Sequence, residues 1–420
     1  MNKTHQDVII VGAGLAGLSC AGRLMESGIS FVILEAGRRI GGRVKTDRVD
    51  GFLLDHGFQV LQTAYPEARK YLNYGRLDLR PFAPGAIIRL QDQFHIIADP
   101  RRRPRDLWST VSAPIGTMGD RLRMVKLAAK VRRTKVADLF QRPDMTTLDF
   151  LKAEGFSEKI IQTFFIPFFS AISLDPKSEV SSRVFQYIFR IFAEGDVALP
   201  AHGMGSIPAQ LAENFPDGSI RTAARVGSIH QGKVELTSGG MMKSRAVVLA
   251  TEGPETARLL GSRQTIGSNG ELCLYYAAAA PPMEQLYLIL NGERSGWINS
   301  LTVPSQVAPS YAPPGQSLIS VVVIGQMSSD DDTVEAAVRG QLTDWFGAQV
   351  KDWRHLKTYR IAHALPAQPP PMPDPTVAVI PAKPGIFVCG EYGSVSGIQW
   401  AMLSGRLTAD AVKEELGRNG

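Results

Sequence analysis

The chain has 420 residues, of which 44% are hydrophobic and 20% charged, and its formal net charge is +6. This length exceeds that of one ordinary domain, so we expect two or three, and the balance of apolar and charged residues excludes a disordered chain. The 40 glycines and 27 prolines are too few for a collagen-like or low-complexity protein. No zinc-finger, helix-turn-helix or RNA-recognition pattern accompanies the mild positive charge, so we predict no nucleic-acid partner.

The cysteines and the apolar runs bear on the compartment. Cys20, Cys273 and Cys389 lie far apart in apolar surroundings. They indicate neither a disulfide framework nor a metal cluster, so we expect no metal and a reducing compartment. The first residues lack the long apolar stretch of a signal peptide, and no run approaches about 18 apolar residues. We therefore expect a cytoplasmic protein, with peripheral contact at the inner membrane surface as an option.

The first forty residues predict a strand, a helix and a second strand around a glycine-rich turn. Residues 7–11 are typical of a buried parallel strand, and residues 31–34 form a second apolar strand that ends on Glu35. The turn between them allows backbone to approach a pyrophosphate, and the following helix points its N-terminus at phosphate. Glu35 lies where a carboxylate accepts both ribose hydroxyls. The predicted dinucleotide contacts are Gly12, Ala13, Gly14, Leu15, Ala16, Gly17 and Glu35.

A second glycine pair and several arginines follow Glu35 directly, in residues 36–43. Glycines there let backbone reach the pyrophosphate from its other side, and arginine pairs with phosphate oxygens in bidentate fashion. In this segment the sequence resembles the flavoprotein superfamily of amine oxidases, protoporphyrinogen oxidases and phytoene desaturases, which carry their second FAD-binding motif here. The resemblance implies FAD rather than NAD, with further contacts at Ala36, Arg38, Gly41, Gly42 and Arg43.

The resemblance recurs in three more segments, residues 55–59, 225–251 and 385–406. In the superfamily, an acid-x-Gly segment runs along the flavin, and a strand ending in Ala-Thr lies beneath the adenine. A Gly-acid pair contacts the ribityl–pyrophosphate region, and the terminal helix points its N-terminus at the pyrimidine oxygen of the flavin, where it favours negative charge. The resemblance implies FAD contacts at Gly57, Phe58, Gln59, Val226, Ala250, Thr251, Gly390, Glu391, Ile398 and Gln399.

These segments predict an α/β fold with a doubly wound, Rossmann-type FAD-binding domain made of residues 1–75, 201–265 and 385–420. An inserted α+β substrate domain is predicted for residues 76–200 and 266–384. The aromatic block at residues 164–169 is either buried core or the wall of an apolar substrate cavity. The prolines of residues 366–384 predict an extended connector into the last strand.

The sequence lacks two features that would indicate other chemistry, a second nucleotide-binding motif and a lysine near the flavin. No apolar strand is predicted before the Gly203-Met204-Gly205 segment, and Pro208 follows it, so we expect no nicotinamide-binding domain. The electron acceptor is then oxygen, a quinone or another molecule. Many amine oxidases hold a lysine over the flavin, but the corresponding residues 271–276 contain none, which disfavours that chemistry. Residues 360–384 offer no cysteine for covalent attachment, so we expect non-covalent FAD.

The predicted function is that of an FAD-dependent oxidoreductase, a desaturase or dehydrogenase that moves a hydride from a bulky apolar substrate to flavin N5. The substrate class is an isoprenoid, carotenoid or tetrapyrrole-like compound. His56, which adjoins the flavin-side segment and titrates near neutrality, and Tyr392 are the candidate catalytic residues, with a structural role for His56 as the alternative. Other functions left open are a redox-neutral isomerase, an amine oxidase and a non-enzymatic prenyl-lipid binder of the GDP-dissociation-inhibitor type.

Residues 101–135 concentrate positive charge, with apolar residues such as Leu122 and Val125 interleaved. A solvated helix face is one interpretation. The other is docking on an anionic membrane, where each basic residue near the headgroups contributes about 1 kcal/mol.

Overall fold

The computed structural model describes residues 5–230, 232–262, 267–377, 379, 381–390 and 395–418. Its strands are β1 His5–Val11, β2 Phe31–Leu34, β3 Thr46–Val49, β4 Phe52–Asp55, β5 Leu61–Gln62, β6 Leu79–Pro81, β7 Gly85–Leu90, β8 Gln93–Ala98, β9 Val197–Pro200, β10 Ile220–Arg221, β11 Val226–His230, β12 Lys233–Leu236, β13 Met241–Leu249, β14 Ser268–Ala278, β15 Leu288–Asn291, β16 Ile298–Thr302, β17 Ser317–Ile324, β18 Arg354–Pro366 and β19 Ile386–Val388. Its α-helices are α1 Leu15–Glu26, α2 Pro66–Tyr71, α3 Tyr74–Leu77, α4 Leu107–Ser112, α5 Met118–Arg133, α6 Val136–Phe140, α7 Thr147–Ala153, α8 Glu158–Ile160, α9 Ile166–Ser173, α10 Ser182–Glu194, α11 Ser206–Ala212, α12 Gly253–Leu260, α13 Pro304–Val307, α14 Asp331–Phe346 and α15 Ile398–Arg418.

The first sheet contains the predicted βαβ unit. Its strand order is β10-β2-β1-β13-β12-β11, with β19 beside β13, and β10, β2, β1, β13 and β19 run parallel. Helices α1 and α15 cover one face, where Val8 and Ile10 are fully buried, and Ile9 is fully buried on the other face. Parallel strands covered on both faces are apolar throughout, which is why the sequence pattern identified them. The strands predicted at residues 7–11 and 31–34 are confirmed, and the segments predicted to end in Ala-Thr (246–251) and in Gly-acid (385–391) contain the end of β13 and the whole of β19.

The second sheet has the order β18-β14-β17-β16-β15-β7-β8 and is antiparallel except for the β15–β7 pair. Alternate residues of β14 face opposite sides. Leu272, Leu274 and Tyr276 pack with residues of α14, whereas Cys273 and Tyr275 belong to the core that also holds Phe52 and Leu54 of β4. The face of β14 that carries Cys273 and Tyr275 therefore packs toward the β3–β4 hairpin and the glycine-rich segments.

The two sheets draw their strands from different parts of the chain. The first uses strands between His5 and Leu34, between Ile220 and Leu249, and β19, and the second uses β7, β8 and β14–β18. The domain boundaries given above stay a prediction. Between Pro366 and Ile386, the described residues form no helix or strand, as the prolines led us to expect.

The aromatic block forms core. Phe165 and Phe169 are 1% and 2% exposed, and the ring of Phe169 lies 4.4 Å from that of Phe185 on α10. Phe168 is only half-buried and stacks on Phe164. The buried-core interpretation therefore holds for most of this block.

The expectation that no apolar strand precedes Gly203 is wrong. The buried strand β9 ends at Pro200, and α11 begins at Ser206. However, β9 pairs antiparallel with β5 and β6, whereas the nucleotide-binding turn follows a parallel strand. Gly203 packs against Thr46 instead, where a β-carbon would collide with the threonine side chain. The equally short β2 was recognised because its four apolar residues complete a βαβ unit, whereas β9 ends in Pro200, and a proline makes a run a poor strand candidate.

Candidate functional site

Two glycine-rich segments meet at the carboxyl end of β1. The Gly41 N–H donates a 2.8 Å hydrogen bond to the Ala13 carbonyl, and Gly14 and Gly41 form a parallel bridge. A β-carbon on Gly42 would lie 3.1 Å from the Gly14 Cα, so the two backbones approach as closely as glycine allows. The fold thus unites the two motifs that the sequence placed on either side of a pyrophosphate.

Glu35 holds this junction together. Its Oε2 accepts a 2.8 Å hydrogen bond from the Ala13 N–H, and its Oε1 accepts one of 2.7 Å from the Gly37 N–H. The side chain is only half-buried. Each carboxylate oxygen accepts more than one hydrogen bond, so Glu35 retains capacity for ribose hydroxyls while it orders both segments.

Small residues bring α1 close to the turn. Gly12 has φ +105°, and a β-carbon there would lie 2.6 Å from the Ala250 carbonyl oxygen. A β-carbon on Gly17 would collide with the Gly12 carbonyl. The helix therefore begins directly at the turn, and the N–H groups of its first residues, including Leu15 and Ala16, have no partner within the helix. A helix N-terminus of this kind suits an anion, and the phosphate contact there stays a prediction.

Other predicted cofactor residues have partners within the protein. The Arg43 guanidinium donates to the Ala364 carbonyl of β18, and Gln399 Oε1 accepts from the Glu67 N–H of α2 at 2.9 Å. Gln59 Nε2 donates to the carbonyls of Arg43 and His56, both at 2.8 Å. These bonds tie the second motif, the 55–59 segment and α15 to neighbouring elements. The remaining predicted contacts comprise the exposed Ala36 and Arg38, the half-buried Phe58, Thr251 and Ile398, and the buried Val226 and Gly390.

The candidate catalytic residues differ in what the structure shows of them. His56 Nε2 lies 3.1 Å from Asp47 Oδ2, at an angle outside hydrogen-bond geometry, and its ring packs 4.7 Å from that of Tyr359. Burial lowers the pKa of His56 below 6.5, and Asp47 only partly offsets this, so the ring is neutral at pH 7. His56 thus has structural partners, and its catalytic role stays a prediction. Tyr392, like the predicted contact Glu391, lies outside the described residues.

Asp55 anchors the 55–59 segment to the second sheet. Its Oδ2 accepts a 2.8 Å hydrogen bond from Tyr311, its Oδ1 accepts from the Met204 N–H at 3.0 Å, and its carbonyl accepts from Tyr275 at 3.0 Å. Burial raises the pKa of Asp55 to about 6, although the bonds from Tyr311, Met204 and Thr46 to its carboxylate favour the charged form. The start of the 55–59 segment is therefore held firmly through both the side chain and the backbone of Asp55.

Glu271, which the sequence analysis did not select as a site residue, faces the same segment. Its side chain is 5% exposed on β14, and a β-carbon on Gly57 would collide with its Oε1. Gly57 also has φ +89°, which favours glycine. Burial raises the pKa of Glu271 to about 8. The signal available in the sequence was one acidic residue at the start of the apolar run that ends at Ala278.

The chain belongs to the flavin-containing amine oxidoreductase family. The sequence profile of that family matches residues 15–413, almost the whole chain. This family membership agrees with the flavin-binding motifs that the sequence analysis identified.

Curated relatives match over short segments. The chain is 35% identical over 100 residues to the L-amino-acid oxidase of Crotalus adamanteus, a segment that covers 24% of this chain and 19% of that enzyme. It is 34% identical over 84 residues to the coproporphyrinogen III oxidase of Propionibacterium freudenreichii subsp. freudenreichii, covering 20% and 16%. The matches thus span less than a fifth of these relatives' lengths.

Solved structures match over the whole chain. A proposed protoporphyrinogen oxidase from Exiguobacterium sp. 255-15 superposes with a TM-score of 0.75 at 17% identity, covering 99% of this chain and all of the other. Cyclohexylamine oxidase from Brevibacterium oxydans IH-35A gives 0.72 at 17% identity, covering 98% and 100%. At such identities the likeness concerns the fold alone, and it confirms the predicted fold class.

Proposed function

We propose that this protein binds FAD non-covalently and oxidises a bulky apolar substrate of the isoprenoid, carotenoid or tetrapyrrole type. The observation that carries the cofactor proposal is the junction of Gly14 with Gly41 beneath the Glu35 carboxylate. Because both segments are glycine at their contact, this junction suits the approach of a pyrophosphate to backbone and of a ribose to the Glu35 carboxylate. Bound FAD supplies a hydride acceptor at its N5 atom.

Non-covalent binding agrees with the environment of the thiols. Cys20, Cys273 and Cys389 are all buried, and burial raises the pKa of Cys389 to about 12. Cys389 packs in the core between α1, α15 and the first sheet. A buried neutral thiol is a poor nucleophile, so it serves as core packing rather than as an attachment point.

The substrate proposal rests on two features, the absence of a lysine from residues 271–276 of β14 and a surface suited to membrane contact. Glu271, and no lysine, faces Gly57, so this chain lacks the side chain that many amine oxidases hold over the flavin. A desaturation or dehydrogenation, with oxygen or a quinone as electron acceptor, fits that difference better than lysine-assisted amine oxidation. Access to a lipid-soluble substrate would come from a membrane surface.

Helices α4 and α5 present that surface, and we name it the basic–apolar face. Trp108 is 80% exposed, Leu122 63% and Val125 68%, and Met118, Leu122 and Val125 follow helical spacing on one side of α5. Exposed basic side chains flank them, including Lys126 and those of Arg105, Arg132, Arg133 and Lys135. Apolar side chains beside exposed cations suit an anionic membrane interface better than a solvated helix face.

We accordingly propose peripheral contact with the cytoplasmic side of the inner membrane. Within the ranges described above, no helix combines the length and apolar character needed to cross a membrane. In the same ranges, no group of three or more His, Cys, Asp or Glu side chains could hold a metal ion.

The colour of the purified protein tests the cofactor. Flavin absorbance that heat or acid releases into solution supports bound, non-covalent FAD. Flavin that stays with the denatured chain overturns the non-covalent proposal. A colourless protein that added FAD does not reconstitute overturns the FAD proposal and favours a non-enzymatic prenyl-lipid binder.

Anaerobic mixing separates the remaining alternatives. Bleaching of the flavin by a polyene or a porphyrinogen supports net oxidation of an apolar substrate. Product without bleaching supports a redox-neutral isomerase, and rapid peroxide formation from a simple amine in air supports an amine oxidase.

A further inference from the structure

We infer that Glu271 is the proton-bearing group of the proposed flavin site, a buried neutral carboxyl that donates its O–H to an acceptor atom of the bound flavin ring. This inference rests on the FAD site proposed above. The resemblance to the flavoprotein superfamily implies that the backbone of residues 55–59 runs along the flavin, and Glu271 is the acidic side chain that β14 directs at that backbone.

The position of Glu271 follows from strand register. Glu271 lies opposite Ile324 of β17 and Ile361 of β18, so both edges of its backbone are paired. Its side chain lies on the same face as Cys273 and Tyr275, toward the hairpin that leads into Gly57. The contact with Gly57 is so close that no β-carbon fits between the two. Glycine therefore makes room for the carboxyl at this point of the segment.

No described residue forms a hydrogen bond or ion pair with the Glu271 carboxyl, although the side chain is 5% exposed. A buried polar group without a partner costs about 1–3 kcal/mol, and an unpaired buried charge costs more. The cost disappears when the carboxyl is protonated and a ligand accepts its hydrogen. The arrangement thus suits a site that is completed by a bound molecule.

The titratable neighbours have other partners. On β18, Tyr359 donates to Asp47 at 2.7 Å, and His363 Nδ1 lies 2.6 Å from Ser268 Oγ. On β14 itself, burial raises the pKa of the Cys273 thiol to about 12, so it stays neutral.

The hairpin and β17 add no charge that would hold Glu271 ionised. Asp55 is bound by Tyr311, Thr46 and Met204, and His56 faces Asp47. Strand β17 carries no ionisable side chain. The rise in the pKa of Glu271 has burial as its cause, so the carboxyl is protonated at neutral pH and able to donate.

A neutral carboxylic acid is a useful donor in a dry site. It hydrogen-bonds an unprotonated ring nitrogen or a carbonyl oxygen without adding a negative charge beside it. It also stabilises negative charge that develops on the acceptor, because the donor is already oriented by the strand. A carboxylate would do the opposite, since it repels electron density on the ring.

The test is a pH titration of the flavin absorbance in purified holoprotein, compared between wild type, Glu271→Gln and Glu154→Gln. Glu154→Gln makes the same chemical change in the surface ion pair with Lys130 and serves as control. We expect a spectral transition between pH of about 6 and about 10 in wild type and in the control. We expect Glu271→Gln to bind FAD and to lack the transition.

Equal titrations in all three proteins, each with bound FAD, overturn the inference and leave the FAD proposal intact. Wild type that cannot be loaded with FAD overturns the proposed function instead. If Glu271→Gln does not fold, infrared spectroscopy of the wild-type protein tests the inference instead, through the absorption band of a protonated buried carboxyl. Its presence at neutral pH and its loss at high pH support the inference, and its absence at neutral pH overturns it.

Discussion

The Oε2 atom of Glu35 accepts a 2.8 Å hydrogen bond from the backbone N–H of Ala13, which couples the end of β2 to the glycine-rich turn after β1. The same carboxylate accepts from Gly37 through its other oxygen. One side chain therefore shapes the turn and, in the proposed site, holds the ribose. A substitution of Glu35 should thus affect both the stability of the turn and the affinity for FAD.

Glu35→Ala should lower the affinity for FAD by one to two orders of magnitude or more, because charge-assisted hydrogen bonds contribute about 1.5–3 kcal/mol each. The variant should also melt at a lower temperature. Added FAD should restore only part of that loss, since the bonds to Ala13 and Gly37 are missing with or without cofactor. Flavin content and thermal melting measure both effects.

Glu26→Ala is the matched control, because Glu26 is an exposed residue of α1 whose ion pair with Arg23 is a surface contact. It should retain full flavin and a nearly unchanged melting temperature. If Glu35→Ala behaves in the same way, the assignment of the ribose acid is wrong.

Gly57→Ala should destabilise the protein through three causes, the positive φ, the collision with Glu271 and a close approach to the Ile361 side chain. The backbone strain alone costs about 1–2 kcal/mol. The double variant Gly57→Ala/Glu271→Ala removes the collision with the carboxyl but keeps the strain and the close approach to Ile361 Cδ1, so the two substitutions should couple by about 0.5–3 kcal/mol. Urea unfolding of the four proteins in the cycle measures this coupling.

Gly28→Ala isolates the strain, since Gly28 has φ +70° and, apart from Gly28 and its two chain neighbours, no described residue has an atom within 4 Å of the position that a β-carbon would take. Gly57→Ala should cost more than Gly28→Ala. Equal costs, or additive effects in the cycle, would show that the Glu271 carboxyl does not occupy the space beside Gly57.

The stability of the protein should fall as pH rises through a window that Glu271 defines. Its carboxyl has a pKa of 4.5 in an unfolded chain and about 8 in the folded protein. Between these values the folded state binds more protons, so the free energy of unfolding decreases with rising pH. The loss is complete above about pH 8 and is on the order of a few kcal/mol.

Glu271→Gln cannot ionise, so it should lack this contribution. Its stability relative to wild type should increase from the acid to the alkaline side of the window. Denaturant unfolding of both proteins at several pH values checks the slope. If the difference in unfolding free energy between wild type and Glu271→Gln does not change with pH, this prediction is wrong, and the Glu271 carboxyl is in contact with water or with a cation.

The basic–apolar face should bind vesicles that contain phosphatidylserine and not vesicles of phosphatidylcholine alone. Trp108→Ser/Leu122→Ser should weaken binding because both substitutions remove apolar surface that inserts at the interface. Lys126→Glu/Arg132→Glu should weaken it through charge, at about 1 kcal/mol for each lost cation. Co-sedimentation measures both.

Met241→Ser is the control for surface apolarity, because Met241 is 61% exposed on β13 of the first sheet. It should bind vesicles as wild type does. If vesicle binding depends neither on the anionic lipid nor on the α4–α5 substitutions, the membrane-contact proposal is wrong and the basic–apolar face is an ordinary solvated surface.

The sequence by itself determined the βαβ unit and the parallel strands of the first sheet. Buried parallel strands are apolar runs, and the glycines of the turn act on backbone within a few residues, so both features are local in the chain. Glu35 was identified for the same reason, from its distance to the glycine turn. The small sheet containing β9 was missed, because β9 ends in a proline and, unlike the equally short β2, belongs to no βαβ unit.

Only the tertiary structure decided the surroundings of Glu271 and His56. Glu271 and Gly57 are far apart in the chain, and their contact depends on strand register and on how β14 faces the β3–β4 hairpin. His56 adjoins the glycine in sequence, yet its side chain turns to Asp47 and Tyr359. Burial and partners, which set the charge of a side chain, are properties of the packed chain and not of its local pattern.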